Sequence, residues 1–200
     1  MLFTIASNLY YKTVYLSGMS RKYKFHNPEE MYFVSFAVVY WVDAFVRDEY
    51  CKQLIKSLDY CRRNLGMEIF CYCIMPSHVH LIFRAKDNNP ASLLGKLKEF
   101  TSKRLIKAIE ENPVESRREW LLWMMERAAS KSSNVSKRQF WQHHNKPIEL
   151  WSSDVIDQKV EYIHKNPVEA GFVDEAEQWR YSSSRDYSGM KGLLEIDFID

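Results

Sequence analysis

The stretch that decides the fold is Met75-Pro76-Ser77-His78-Val79-His80-Leu81-Ile82-Phe83. It opens with a Pro-Ser turn signal, and the residues that follow alternate as they do in a strand. His78 and His80 share one face, roughly 7 Å apart, while Val79 and Leu81 occupy the other. We expect the apolar face to pack into the core and the histidine face to be exposed to solvent.

Two imidazoles on one face suggest a site for a divalent metal ion. The same pattern fits an ordinary edge strand that carries two polar histidines. A third possibility is a zinc-stabilised domain, because Cys71 and Cys73 share a face of the preceding strand and could join His78 and His80. The sequence leaves these alternatives open at this point.

Composition indicates one globular domain with a substantial core, since the 200 residues are 46% hydrophobic with few Gly or Pro. A formal charge of +2 does not by itself indicate a nucleic-acid-binding protein. The four cysteines form no C-x-x-C pair, and no secretory leader is evident, so we expect reduced thiols and a cytoplasmic location. No apolar run approaches the ~20 residues of a membrane span, and we expect a soluble protein.

The predicted order of elements is strand, helix, strand, strand, helix, strand, helix. Strands are predicted at 31–42, at 67–75, from His78 and at 140–144, with helices at 48–65, at 91–111 and from Ser152 or Ser153 until Pro167 stops the last one. The second and third strands should form a hairpin. We expect residues 1–30 to be an N-terminal extension, 31–188 to be one domain with an insertion at 112–138, and 189–200 to be a C-terminal tail.

The last predicted helix carries a phenol and an amide on one face. Tyr162 lies off the apolar stripe of that helix, and at ~100° per residue Asn166 lies almost directly beside it. A tyrosine that simply packs is the alternative. On the helix at 91–111, Lys96, Lys103 and Lys107 share one side with Arg104 next to them, which fits either a solvated face or a surface that follows DNA phosphates.

Three motifs together resemble a known family. They are Met75–Leu81, Tyr162-Ile163-His164-Lys165-Asn166-Pro167-Val168-Glu169-Ala170-Gly171 and Trp179-Arg180-Tyr181-Ser182-Ser183-Ser184. In this order they resemble the REP-associated single-tyrosine transposases, which are IS200-like transposases of the HUH endonuclease superfamily. Ser77 stands where the family usually has Asn. The resemblance implies an α+β (α/β) HUH-type nuclease domain, a ferredoxin-like antiparallel sheet with helices packed on it.

The resemblance also implies roles for individual residues. His78, His80 and Asn166 would be ligands of Mg²⁺ or Mn²⁺, and Tyr162 would be the nucleophile. Attack on a phosphodiester would give a 5′-phosphotyrosine and a free 3′-hydroxyl, from which strands can be rejoined.

The substrate implied is single-stranded DNA with hairpins from repetitive palindromic elements. The protein that binds it would be a monomer or a homodimer, and we expect no membrane partner. Its backbone would contact Lys96, Lys103, Arg104 and Lys107. A non-catalytic hairpin-binding protein descended from a transposase is the alternative.

Overall fold

The structure is a computed structural model that describes residues 24–132 and 137–199. Most of the predicted N-terminal extension lies outside these ranges. The strands are β1 (Met31–Ala37), β2 (Met67–Ile74), β3 (His78–Ala85) and β4 (Ile148–Leu150). The helices are α1 (Asp48–Leu65), α2 (Pro90–Glu111), α3 (Arg118–Ala129), α4 (Ser153–Glu169) and the short α5 (Ser184–Tyr187). Short 3-10 turns occur at Val39–Trp41, Ala44–Val46 and Ala176–Gln178.

The four strands form one antiparallel sheet in the order β2-β3-β1-β4. This confirms the expected α+β class and the hairpin between β2 and β3. The central strand β3 carries the histidine motif, so both of its edges are paired. Across the sheet, Cys73 of β2 and Ser35 of β1 both lie opposite His80.

Helices cover both faces of the sheet because both faces are apolar. One face presents Val34 and Leu81 to a large core that includes residues of α1, α2 and α3: Leu54, Leu58, Leu97, Leu105, Leu121 and Met125. The other face presents Phe33 and Ile82 to a smaller core. In that core Ile156 and Ile163 of α4 pack against the sheet. The alternation along β3 therefore separates a layer of three helices from α4.

The strand predicted at 140–144 is wrong, since the fourth strand begins only at Ile148. The backbone of Gln142 donates to Ala37 O at 2.8 Å, and Ser35 donates to Asn145 O at 3.0 Å. Between these contacts β1 advances by two residues and the partner segment by three. This extra residue prevents a regular ladder, as in a bulge.

The boundary predicted at Pro167 is also wrong, because α4 continues to Glu169 with the proline inside it. A proline inside a helix removes one hydrogen-bond donor and crowds the carbonyl four residues earlier. The helix nevertheless continues past Pro167, for two further residues. The chain leaves the helix at Gly171, which has the left-handed conformation with a φ of +73°.

The predicted insertion and tail both contribute to the core. Within 112–138, α3 buries Leu121 and Met125 in the larger core. In the tail, Leu194 and Ile196 are buried, and Asp197 N donates to Ile69 O of β2 at 2.7 Å. The domain boundaries stay a prediction. In the described ranges, none of the helices has the length and hydropathy to cross a bilayer.

Candidate active site

The imidazoles of His78 and His80 face each other on β3, with their Nε2 atoms 3.1 Å apart. The expectation that this face is exposed to solvent is wrong for His80, which is only 3% exposed. His80 is buried because apolar Phe33 and Ile82 lie on the same face of the sheet, and α4 packs over that face. The histidine pair therefore lies between the sheet and a helix.

The pair fits a divalent cation in its spacing and in its protonation. Two nitrogens that bind one ion at about 2.1 Å in right-angled positions lie about 3.0 Å apart. Burial lowers the pKa of His78 to about 4, although a hydrogen bond with Asn166 opposes this shift. Burial also lowers the pKa of His80, and the charge of Lys159 adds to that effect. Both rings are thus neutral near pH 7, the form that binds metals.

The structure brings Tyr162 and Asn166 to the histidine pair. The ring centroids of Tyr162 and His80 are 5.2 Å apart, and the Asn166 side chain is near enough to His78 to raise its pKa. Helical periodicity correctly placed the phenol and the amide on one face. Two imidazoles, an amide and a phenol therefore meet on one side of the sheet.

Buried polar contacts fix α4 in this position. The Ser152 side chain caps its first turn by accepting from Val155 N at 3.4 Å. Near its other end, His164 Nε2 lies 2.9 Å from Ser183 Oγ and 3.2 Å from Cys71 Sγ. His164 follows Tyr162 by two residues, so these contacts set the rotation and height of the helix that carries the phenol.

A positive charge that sequence reasoning missed lies beside the phenol. Lys159 Nζ is 5.5 Å from the ring centroid of Tyr162 and 5.3 Å from that of Phe33. Its place one helical turn before Tyr162 is the signal that could have revealed it. An ammonium group here can stabilise negative charge on a phosphate or phenolate oxygen.

The four-ligand zinc site receives no support from the structure. Cys71 contacts His164 and Ser183, and Cys73 lies 3.7 Å from the sulfur of Met75. Burial raises the pKa of the Cys71 thiol to about 12, which disfavours the thiolate that zinc binds. Within residues 24–132 and 137–199, no group of three His, Cys, Asp or Glu side chains is placed to hold a metal.

The predicted DNA-contacting residues do not lie at the histidine pair. Lys96, Lys103, Arg104 and Lys107 are exposed on α2, in the helical layer on the opposite face of the sheet. Ion pairs connect Lys103 to Glu99 at 2.6 Å and Lys107 to Glu111 at 3.7 Å. These residues therefore lie on the other side of the sheet from the histidine pair.

Comparison with known proteins identifies relatives of the chain. A Haemophilus influenzae protein named as a REP-associated tyrosine transposase is 29% identical over 119 residues, which cover 58% of each protein. The chain thus spans little more than half of that relative.

Two solved structures are also similar. A REP-associated tyrosine transposase bound to a REP hairpin covers 92% of this chain and 94% of its own, with a TM-score of 0.59 and 18% identity, which supports the fold. A transposase structure from Deinococcus radiodurans has a TM-score of 0.42 and 17% identity over 74% of this chain and 95% of its own.

The family match covers the sheet and the histidine motif. Residues 31–136, just over half of the chain, match the family described as "Transposase IS200 like". This range includes β1, β2 and β3 with both histidines, and it ends before α4. The chain therefore belongs to the IS200-like transposase family.

Proposed function

We propose that this protein is a metal-dependent single-stranded DNA endonuclease and strand transferase. It cleaves hairpin-containing DNA through a 5′-phosphotyrosine and rejoins strands as a transposase. The observation that carries the proposal is the meeting of His78, His80, Tyr162 and Asn166 in one chain. Hairpin binding alone does not require a phenol beside two neutral imidazoles, whereas phosphodiester cleavage uses both.

His78, His80 and Asn166 would hold the cation. Two neutral nitrogens and an amide oxygen suit Mg²⁺ or Mn²⁺, and the nitrogens favour Mn²⁺. His80 presents its Nε2 to Nε2 of His78 at 3.1 Å, so these two nitrogens are the ones that would hold the cation. When bound, the cation would polarise the scissile phosphate and neutralise charge on its non-bridging oxygens.

Tyr162 would supply the nucleophile. Its phenolic oxygen bonds to phosphorus as the bond from phosphorus to the 3′-oxygen breaks. The phenol loses its proton, and the departing 3′-oxygen gains one to become a hydroxyl. Lys159 lies where it can stabilise the negative oxygens during this exchange. The reverse attack by a 3′-hydroxyl rejoins a strand and restores the phenol without ATP.

The family and the similar structure support a proposal for the substrate. The structural relative is bound to a REP hairpin, and we propose hairpin DNA of this kind, with a single-stranded flank, as the substrate here. Because one chain supplies both the histidine pair and the tyrosine, a monomer would contain a complete site.

The test is a search for the covalent adduct. The protein is incubated with Mn²⁺ and hairpin oligonucleotides labelled at the end that would remain attached, and then denatured. We expect a labelled band that depends on Mn²⁺ or Mg²⁺, with the label on the peptide that contains Tyr162. Tight hairpin binding without any adduct would instead establish the non-catalytic alternative.

A further inference from the structure

Two consecutive aromatic residues, of which Trp41 contacts His78, are held in an unusual backbone conformation. Tyr40 and Trp41 have φ values of 56° and 58°, which bulky side chains rarely adopt. Hydrogen bonds from Val38 N to Ser77 O at 2.9 Å and from Val39 N to Phe140 O at 2.9 Å hold the turn that imposes them. Strain maintained in this way is typical of functional sites.

The strained turn presents aromatic surface to solvent at the candidate active site. Tyr40 is 41% exposed and Trp41 is 54% exposed. The Trp41 ring centroid lies 5.4 Å from that of His78. Lys131 Nζ lies 5.6 Å from the ring centroid of Tyr40 and adds positive charge to the turn.

A cavity of about 300 Å³ opens next to Trp41. Its lining includes Ser35 and Ala37 of β1, which lie opposite His80 and His78 in the sheet. The preceding residue on this face of β1 is Phe33, so the side chains become small where the cavity begins. Trp41 lines the cavity and its ring centroid lies 5.4 Å from that of His78, so the cavity adjoins the histidine pair. Its volume is at the small end of the range for ligand pockets.

The other wall of the cavity is polar and firmly held. Residues 142–147 line it, and they include His144 and Asn145. From α2, Lys98 Nζ donates to Gln142 O at 2.7 Å and also to the Asn145 side chain. The lining thus combines residues that carry hydrogen-bonding groups with the indole ring of Trp41.

We propose that this cavity binds one nucleobase of the single strand next to the scissile phosphate, with the base stacked on Trp41. The inference rests on the proposed function. It places the single-stranded flank of the substrate in the cavity beside Trp41. A planar base can stack on the exposed indole while polar lining residues contact its edge, and stacking on aromatic side chains is how single strands are commonly held. The positive charge of Lys131, near Tyr40, attracts the phosphates of that strand.

The experiment measures binding without cleavage, in the Tyr162→Phe background. The probes are a labelled hairpin without a flank, the same hairpin with a single-stranded flank, and flanked versions with one abasic nucleotide at each position. Trp41→Ala and Trp41→Phe are compared with Trp123→Ala. Trp123 is 50% exposed on α3, in the layer on the opposite face, and is a matched control. Mn²⁺ affinity is measured for every variant.

We expect Trp41→Ala to bind the flanked hairpin about tenfold or more weakly, with little change for the hairpin without a flank. Trp41→Phe should retain most of the affinity because it keeps a ring. At one position of the flank, an abasic nucleotide should weaken DNA binding by the protein with Trp41 intact by a similar factor. The same abasic nucleotide should not weaken binding by Trp41→Ala any further.

Three results would overturn the inference: equal effects of Trp41→Ala and Trp123→Ala, a Trp41→Ala defect that is the same with and without the flank, or a loss of Mn²⁺ affinity that accounts for the defect. None of these readings depends on adduct formation. Failure of the proposed chemistry is therefore distinguishable from failure of this inference.

Discussion

At the scale of residues, the candidate site depends on two imidazoles that burial keeps neutral. His78 and His80 face each other at 3.1 Å, and a proton on both rings would place two positive charges side by side in a poorly solvated place. Because a metal ion binds the neutral form of imidazole, burial would suit both rings to the ligand role that we propose for them. A buried imidazole also contributes to the packing under α4, so its replacement should lower stability as well as activity.

We expect His78→Gln and His80→Gln each to lower the cleavage rate at least about 100-fold. His80→Gln should also lower the unfolding midpoint more than His78→Gln does, since His80 is the more deeply buried. Cleavage rates in Mg²⁺ and Mn²⁺, together with thermal unfolding, measure both effects. His26→Gln, on an exposed loop, is the control. Cleavage at the parent rate by both variants would show that the metal ligands are elsewhere.

Lys159 provides a second test at this scale. Lys159→Gln removes the charge near the Tyr162 ring, and we expect cleavage to slow about 10- to 100-fold with DNA affinity nearly unchanged. The matched control is Lys165→Gln on the same helix, where the lysine is exposed and paired with Glu161 at 2.5 Å. Single-turnover rates separate the two variants. Equal rates would mean that Lys159 has no role in the reaction.

Sequence reasoning found the residues whose positions follow from local periodicity. Alternation along β3 placed His78 and His80 together, and helical spacing placed Tyr162 beside Asn166. It did not find Trp41, whose contact with His78 depends on a left-handed turn. It also predicted an exposed histidine face, because periodicity within a strand does not show that a helix packs over it.

At the scale of elements, a buried carboxylate joins the start of α1 to the start of α3. The Glu115 side chain is fully buried and is bound by Arg47 Nε at 2.6 Å and by Arg117 Nε at 3.2 Å. Burial by itself raises the pKa of Glu115, but the hydrogen bonds from the two arginines outweigh it and lower the pKa to about 2. The carboxylate therefore favours the folded state whenever it is charged.

We expect Glu115→Gln to lower the free energy of unfolding by roughly 1–3 kcal/mol at neutral pH. The contribution of Glu115 is fully present above its unfolded pKa, near 4.5, and is lost as pH falls towards about 2. The difference in stability between parent and variant should thus shrink below pH ~4.5. Urea unfolding from pH 7 to pH 3 measures it. A difference that stays constant over this range would contradict the assigned pKa.

Element boundaries were predicted where a local signal decides them, as at Gly66, which ends α1 in the left-handed conformation. They were not predicted where partners in space decide them. Residues 140–144 have the composition of a strand, yet one extra residue in their pairing with β1 prevents it. Pro167 signals a helix end, but the helix tolerates it in its last turns.

At the scale of the whole molecule, the sheet separates the candidate site from the basic side of α2. The sequence predicted that Lys96, Lys103 and Lys107 share a helical side, but it could not show which face of the sheet that helix covers. Long-range packing decides this, because α2 and α4 both have apolar stripes that suit either face. A hairpin that reached both surfaces would have to pass around an edge of the sheet.

Replacing Lys96, Lys103 and Lys107 together by Gln tests the basic side. We expect weaker hairpin binding and a slope of log K against log salt that is shallower by up to about 2–3, since fewer counterions are released. Ion pairs with Glu99 and Glu111 reduce the expected effect. The exposed lysines Lys52, Lys86 and Lys191 serve as a control triple. An unchanged slope would place the hairpin on another surface.

The most direct test of the central claim changes one oxygen atom. Tyr162→Phe keeps the ring that packs near Phe33 and His80, so folding, Mn²⁺ affinity and hairpin binding should be retained. Cleavage, strand joining and the covalent adduct should all disappear, because each passes through the same phosphotyrosine. The measurement is the labelled adduct formed by the parent and by Tyr162→Phe in Mn²⁺. An adduct that persists in the Phe variant would contradict the assignment of Tyr162 as the nucleophile.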